Sequence, residues 1–194
     1  VYAVRTIPIG EEISNSYIDP VQRHANRQAA LMKSWGFKCT CAHCSLDEPL
    51  ANASDARIAT ISRWRRSLLS RAPHPPLAIA GLDMARLLIS LYEQEMLHAP
   101  IADAYVLAAL EAMGVGNEVE GQRWAHLAVE RGILYGGGDD EDVKKMRKLL
   151  QEGRGHWSWM FREKGLGKAE ASGELGDDRK KKQENDEEVD HKGD

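Results

Sequence analysis

Three cysteines stand within six residues, in Cys39-Thr40-Cys41-Ala42-His43-Cys44, and the 194-residue chain has no others. An odd number set this closely cannot make a disulfide framework with nothing left over, and it points to a reducing compartment. Thiolates spaced C-x-C-x2-C can converge on one Zn²⁺, each at about 2.3 Å. The segment is then a tight loop fixed at three points. The alternative is three buried free thiols, but chance clustering of this density is rare, which favours metal. A structural zinc site takes four ligands, so the chain is one short. His43 lies inside the loop, where strain opposes it as the fourth. Nothing in the spacing supports His24 or His74. The fourth ligand is therefore expected upstream of Val1.

Length and charge set the frame around this loop. At about 150 residues per domain, the chain holds one domain or one plus a small second piece. An apolar content of 42% is enough for a core. No run of 18 apolar residues occurs, so no membrane-spanning helix is expected, and no basic-then-apolar leader opens the chain. From Glu170 to Asp194 acids outnumber bases by ten to five, while the rest is near neutral and shows no basic face for nucleic acid. That tail has almost nothing apolar to bury and reads as a disordered, solvated end. Arg179 to Lys182 would serve as a nuclear-import patch, although runs this short match by chance often. The expected location is intracellular, nuclear or cytoplasmic.

The remaining pattern is mostly helical. Val1 to Ile7 and Glu12 to Ile18 read as two short strands around the turn Pro8-Ile9-Gly10. Val1 is no initiator Met and VYAVRTI reads as a strand in progress, so the chain is expected to be the C-terminal part of a longer protein. Asp19-Pro20 opens a helix, with apolar positions from Val21 to Trp35 and a stop at Gly36. Ile58, Ile61, Trp64 and Leu68 mark a stripe stopped by Pro73, Pro75 and Pro76. Leu82, Arg86/Leu87, Leu91 and Tyr92 mark a second. Pro100 opens a helix to Gly114. Asn117 caps another, with Glu120 at the capping-box position and Gly132 as stop. Asp139 or Asp140 starts the last, closed by Gly153. Gly136-Gly137-Gly138 lacks a P-loop lysine and reads as a linker. Tyr105, Ala109, Gly121, Ala125 and Ala128 fall near the positions of a tetratricopeptide-like helix pair; any antiparallel helical array would also need small residues there. His156 to Phe161 (HWSWMF) is either a peptide-docking patch or a staple folding the C-terminus onto the helices, and the staple is favoured. The expected class is α+β, mostly α: a short β segment, a zinc loop, an antiparallel helical array and a disordered tail.

The words before the cysteines add a resemblance. GEEISNSYID (Gly10 to Asp19), a short helix, and then SWGFKCTCAHC (Ser34 to Cys44) together resemble the end of a SET domain and its post-SET cysteine motif. The likeness is closest to the SET-and-MYND type and related fungal SET proteins, whose catalytic domain precedes a tetratricopeptide-like helical region. It covers residues 1–45 strongly and about 50–160 loosely. It implies residues 1–48 as the C-terminal part of a SET domain, 49–162 as the helical region and 163–194 as the tail. It implies a protein-lysine methyltransferase using S-adenosylmethionine. Tyr17 matches the tyrosine that walls the lysine channel and orients the amine. Trp35 and Phe37 stand where the family places aromatics beside the channel or cofactor; many relatives have tyrosine near Trp35. Cys39, Cys41 and Cys44 match the zinc ligands, the fourth being a cysteine of the core SET segment. The glycine cofactor motif and the asparagine–histidine segment are absent from these residues, so this chain alone is expected neither to bind S-adenosylmethionine nor to turn over. The substrate implied is a lysine of a protein, with a partner protein on the helical region. The competing class is a non-catalytic, zinc-containing helical scaffold that binds proteins.

Overall fold

A computed structural model describes residues 3–70 and 78–163, the side chains of 78–80 excepted. His74, the prolines at 73, 75 and 76, the import patch Arg179 to Lys182 and the tail beyond residue 163 lie outside the described residues. The described part folds into six α-helices: α1 (His24–Trp35), α2 (Glu48–Ser70), α3 (Ala78–Gln94), α4 (Ile101–Gly114), α5 (Glu118–Gly136) and α6 (Glu141–Glu152). A 3₁₀ turn at Gly153–Gly155 follows. None of the described helices is long and apolar enough to cross a membrane.

The expected β segment is not there. Among the described residues no strand forms, so the class is all-α rather than α+β. The runs read as strands, Val1 to Ile7 and Glu12 to Ile18, carry β-branched residues, but residues 3–7 and 12–18 find no strand partner among the described residues. Ile9 and Ile13 are almost wholly exposed. Glu11 N–H donates to the Pro8 carbonyl at 3.2 Å, so the expected turn closes without a ladder beside it. A strand is stabilised by cross-strand pairs and a buried face, and an isolated pair of strands is marginal in water.

The helix ends follow local chemistry. α1 begins at His24, later than expected, because the Asp19 carboxylate is spent on a local turn, accepting from Val21 N–H at 2.8 Å. The first turn of α1 is satisfied from another helix: Asp55 Oδ1 of α2 accepts from His24 N–H at 2.7 Å. Gly36 ends α1 at φ 72, and its N–H donates to the Met32 carbonyl. Asn117 Oδ1 accepts from Glu120 N–H, as the capping pattern predicts, and Asp140 accepts from Asp142 and Val143 N–H. Gly132 does not stop α5, which continues to Gly136. Instead Gly132 is buried against Val143 of α6, where a Cβ would meet Val143 Cγ2 at 2.6 Å.

α4 is the centre of the molecule. Every residue in it is buried except Asp103, as expected of a helix apolar on all sides. α3, α5 and, more lightly, α2 and α6 pack around it. Connections of only a few residues make consecutive helices antiparallel neighbours. The positions singled out as repeat-like all lie in this core: Tyr105 stacks on Trp124 with ring centroids 5.6 Å apart, and Ala109, Gly121, Ala125 and Ala128 are buried. The α3 stripe holds at Leu82, Leu91 and Tyr92 and fails at Arg86/Leu87. Ala85, Leu88, Ile89 and Tyr92 face the core, and Leu87 is exposed.

The segment after α6 is a staple. His156 and Ser158 are buried, and Met160 N–H donates to the Met113 carbonyl at 2.9 Å. Phe161 fills the space left by the missing side chain of Gly114. Arg162 then makes a two-pronged pair with Glu111 of α4 in the interior.

Candidate metal centre

The left-handed turn at Gly36 reverses the chain as it leaves α1 and sends Phe37 to Ser45 back along the helix. Gln28 holds this return. Its carboxamide nitrogen donates to the Cys39 carbonyl at 2.9 Å, and its oxygen accepts from Cys39 N–H at 3.0 Å. One helical turn earlier, His24 Nε2 lies 3.2 Å from the Cys44 carbonyl. Within the loop, the Cys41 carbonyl accepts from the N–H groups of Cys44 and Ser45 at 2.9 and 3.0 Å. Ser45 Oγ donates to the Thr40 carbonyl. These bonds wind the six residues into one tight turn.

The consequence is convergence. The three Sγ atoms all lie within 4.8 Å of one another, with Cys41 exposed and Cys39 and Cys44 half-buried. Bonds of about 2.3 Å in a tetrahedral zinc site set the sulfurs roughly 3.8 Å apart, so little closure is needed. Three soft donors suit Zn²⁺. Burial pushes the Cys44 thiol up to about 11, helped by the neighbouring Cys41 and opposed by a hydrogen bond with Arg27. Burial also acts to raise Cys41, but the amide N–H of Cys44, the other two thiols and the amide of His43 outweigh it and leave that thiol below its ordinary value. Cys41 gives up its proton more readily than Cys44, and metal binding would displace the protons that remain.

Among the described residues no fourth carboxylate, imidazole or thiol joins the three. His43 points away: its Nε2 lies 3.2 Å from Ser54 Oγ and 3.4 Å from Glu95 Oε2. Burial, with Arg27 and Arg57 nearby, lowers its pKa, and Glu95 and Asp55 act against that. His24 is engaged with the backbone of Cys44.

Beside the loop stands an aromatic cluster. Tyr17 meets Trp35 edge-on with centroids 5.1 Å apart, and Phe37 likewise at 5.6 Å. All three remain solvent-accessible. Ser16 Oγ donates to the Ile18 carbonyl at 2.7 Å and shapes the turn that presents Tyr17. Thus the residues matched to a lysine channel, spread over twenty positions of sequence, come together at the mouth of the cysteine loop. Sequence reasoning missed the supports, Gln28, Ser54, Arg57 and Glu95. Gln28 carried one signal, its place four residues after His24 on one helix face. A buried acid at the end of α3 carried none.

No family model matches the chain. It is 30% identical over 158 residues to the histone-lysine N-methyltransferase set5 of Schizosaccharomyces pombe, a match covering 80% of this chain and 49% of that protein. The histone-lysine N-methyltransferases SET5 of Scheffersomyces stipitis and Candida albicans are each 43% identical over 47 residues, 24% of this chain and 10% of theirs. The chain therefore spans about half the length of the first relative and a tenth of the others. The similarity to these fungal SET-type methyltransferases is distant and partial, and the three-cysteine cluster is consistent with a post-SET-like zinc motif.

Proposed function

We propose that this chain is the C-terminal part of a SET-type protein-lysine methyltransferase. Residues 1–48 form the end of its catalytic unit, 49–162 a helical region for substrate or partner, and 163–194 a charged tail. Cys39, Cys41 and Cys44 hold zinc, the fourth ligand coming from elsewhere in the complete protein. The observation that carries this reading is the meeting of Tyr17, Trp35 and Phe37 beside three converged thiols.

The chemistry requires such an arrangement. Methyl transfer to lysine is an in-line displacement, so the amine must be neutral and its lone pair aligned. An aromatic wall excludes water around the amine and disfavours the ammonium form. Tyr17 supplies a hydroxyl to orient the amine and a ring to narrow its approach, and Trp35 and Phe37 brace that ring. Zinc is structural here: it holds Phe37 to Ser45 against the aromatic cluster. S-adenosylmethionine supplies the methyl group in the complete enzyme. No site for it is formed among the described residues. The half-exposed cluster is one wall of a channel, with the opposite wall supplied by the rest of the protein. The protein works inside the cell, in nucleus or cytoplasm, where thiols stay reduced.

A second reading has its own support. The helices pack as a continuous array around α4, an architecture suited to protein–protein interaction. A non-catalytic scaffold would use that array with zinc as a structural staple.

The test has two parts. Native mass spectrometry of the complete protein should find one zinc, lost in Cys41→Ser. Tyr17→Phe should keep the zinc and lose methyl transfer to protein lysine by at least about tenfold. Full activity in Tyr17→Phe would refute the role of Tyr17. Absence of methyl transfer in the wild-type protein, with zinc bound, would favour the scaffold.

A further inference from the structure

The cysteine loop touches the helical array through His43, which meets Ser54 of α2 and, behind it, Glu95. Its side chain is fully buried, one residue past the end of α3. Oε2 accepts from Ser54 Oγ of α2 at 2.6 Å and faces His43 Nε2 at 3.4 Å. Oε1 accepts from Arg57 Nε of α2. A buried carboxylate is tolerated only when its oxygens are engaged, and here the partners come from two directions. Ser54 and Arg57 belong to the array. His43 belongs to the loop and sits between Cys41 and Cys44.

The backbone is bent to keep this acid inside. Met96, the next residue, has φ 52, a left-handed conformation uncommon for a side chain other than glycine. Leu97 N–H donates to the Tyr92 carbonyl at 2.9 Å across that turn, and the Met96 side chain is left in solvent. The turn thus ends α3 where Glu95 meets Ser54, Arg57 and His43.

We propose that Glu95 is a positioning residue for the cysteine loop: through His43 it fixes the turn that carries Cys41 and Cys44, so the helical array governs how firmly the loop holds its metal. The metal part of this inference rests on the zinc reading above. The docking part does not. The other polar anchors, His24, Arg27 and Gln28, come from α1, which is itself tied to α2 through Asp55. Without the contacts of His43 to Glu95 and Ser54, the Cys41–Cys44 side of the loop would be left to α1 and its own turn.

The experiment is hydrogen–deuterium exchange by mass spectrometry on the full chain, for wild type, Glu95→Ala, His43→Ala and the double variant. Each single variant should speed exchange of amides 41–45 by roughly tenfold or more, while α4 to α6 keep their protection. The double variant should exchange the loop no faster than His43→Ala alone, because His43→Ala already removes whatever Glu95 does for the loop. A merely structural role for Glu95 within the array would not show that dependence on His43. Transfer of zinc from the loaded chain to a colorimetric chelator should accelerate in the same order. If Glu95→Ala costs α4 to α6 their protection, Glu95→Gln takes its place, and His43→Ala, altered from the loop side, still decides the docking. Unchanged loop exchange in His43→Ala, or multiplied effects in the double variant, would overturn the proposal. A complete protein that holds no zinc, beside the expected exchange pattern in the loop, overturns the zinc reading and the metal half of the inference, and leaves the docking standing.

Discussion

Replacing Arg162 with methionine should be among the most damaging single changes in the chain. Arg162 Nε donates to Glu111 Oε2 at 2.9 Å and Nη2 donates to Oε1, a two-pronged pair whose side chains are 7% and 3% exposed. Gly81 of α3 stands directly over Glu111, where a Cβ would collide with the carboxylate. Removing one partner of such a pair leaves an uncompensated buried charge, which costs about 3–5 kcal/mol. At ~2–4 °C per kcal/mol for a chain of this size, the melting temperature should fall by roughly 6–20 °C. Urea denaturation of wild type, Arg162→Met, Glu111→Leu and the double variant gives the numbers. The double variant should recover most of the loss, since two apolar side chains can occupy the space without a stranded charge. A single-variant loss under about 1 kcal/mol, or a double variant as unstable as the sum of the two, would refute the reasoning.

Two further outcomes follow from the packing and from one buried imidazole. Gly121→Ala should destabilise by about 1–3 kcal/mol despite alanine's better helix propensity, because the new Cβ would lie 2.7 Å from Met113 Cγ and Sδ and 3.3 Å from its backbone nitrogen; an urea midpoint above wild type would contradict this. His156 is buried, with Nδ1 2.7 Å from Ser158 Oγ, and burial holds its pKa below the ordinary imidazole value, Lys148 adding to the effect and Glu152 opposing it. The unfolded chain binds the proton more readily, so this stability is fully present above about pH 6.5 and falls as the pH drops towards the lowered native pKa. The stability difference between wild type and His156→Asn, measured by urea melts from pH 7.5 to pH 5, should shrink over that window; a constant difference would exclude the mechanism.

The helices were readable because their signals are local. Asn117 with Glu120, Asp140, Gly36 and Gly153 each fix a helix end within a few residues, and the structure uses all four as expected. The strands were misread because β structure is not local. Val, Ile and Tyr in these runs state a preference, but only a partner strand can realise it. Gly132 was misread for a related reason: the same residue serves as a helix stop or as a point of close approach between helices, and the choice depends on Val143, eleven residues away. The cysteine loop was evident from spacing alone. What orients it was not. Glu95 is one acid among many in the sequence, and its importance comes from Ser54, Arg57 and His43, which only the folded chain brings to it.

α2 serves two masters. Near its start it gives Ser54 and Asp55 to the segment that precedes it, and from Ile58 onward it gives Ile58, Ile61 and Leu68 to the core. Anyone dissecting the protein for expression would be drawn to cut in the short stretch between Ser45 and Glu48, where a helix is about to begin. That cut would leave His24 and His43 on one product and their acceptors on the other. The N-terminal piece would lose both the cap of its only helix and the anchor of its cysteines. A workable boundary lies ahead of Asp19, so that the loop and α2 travel together.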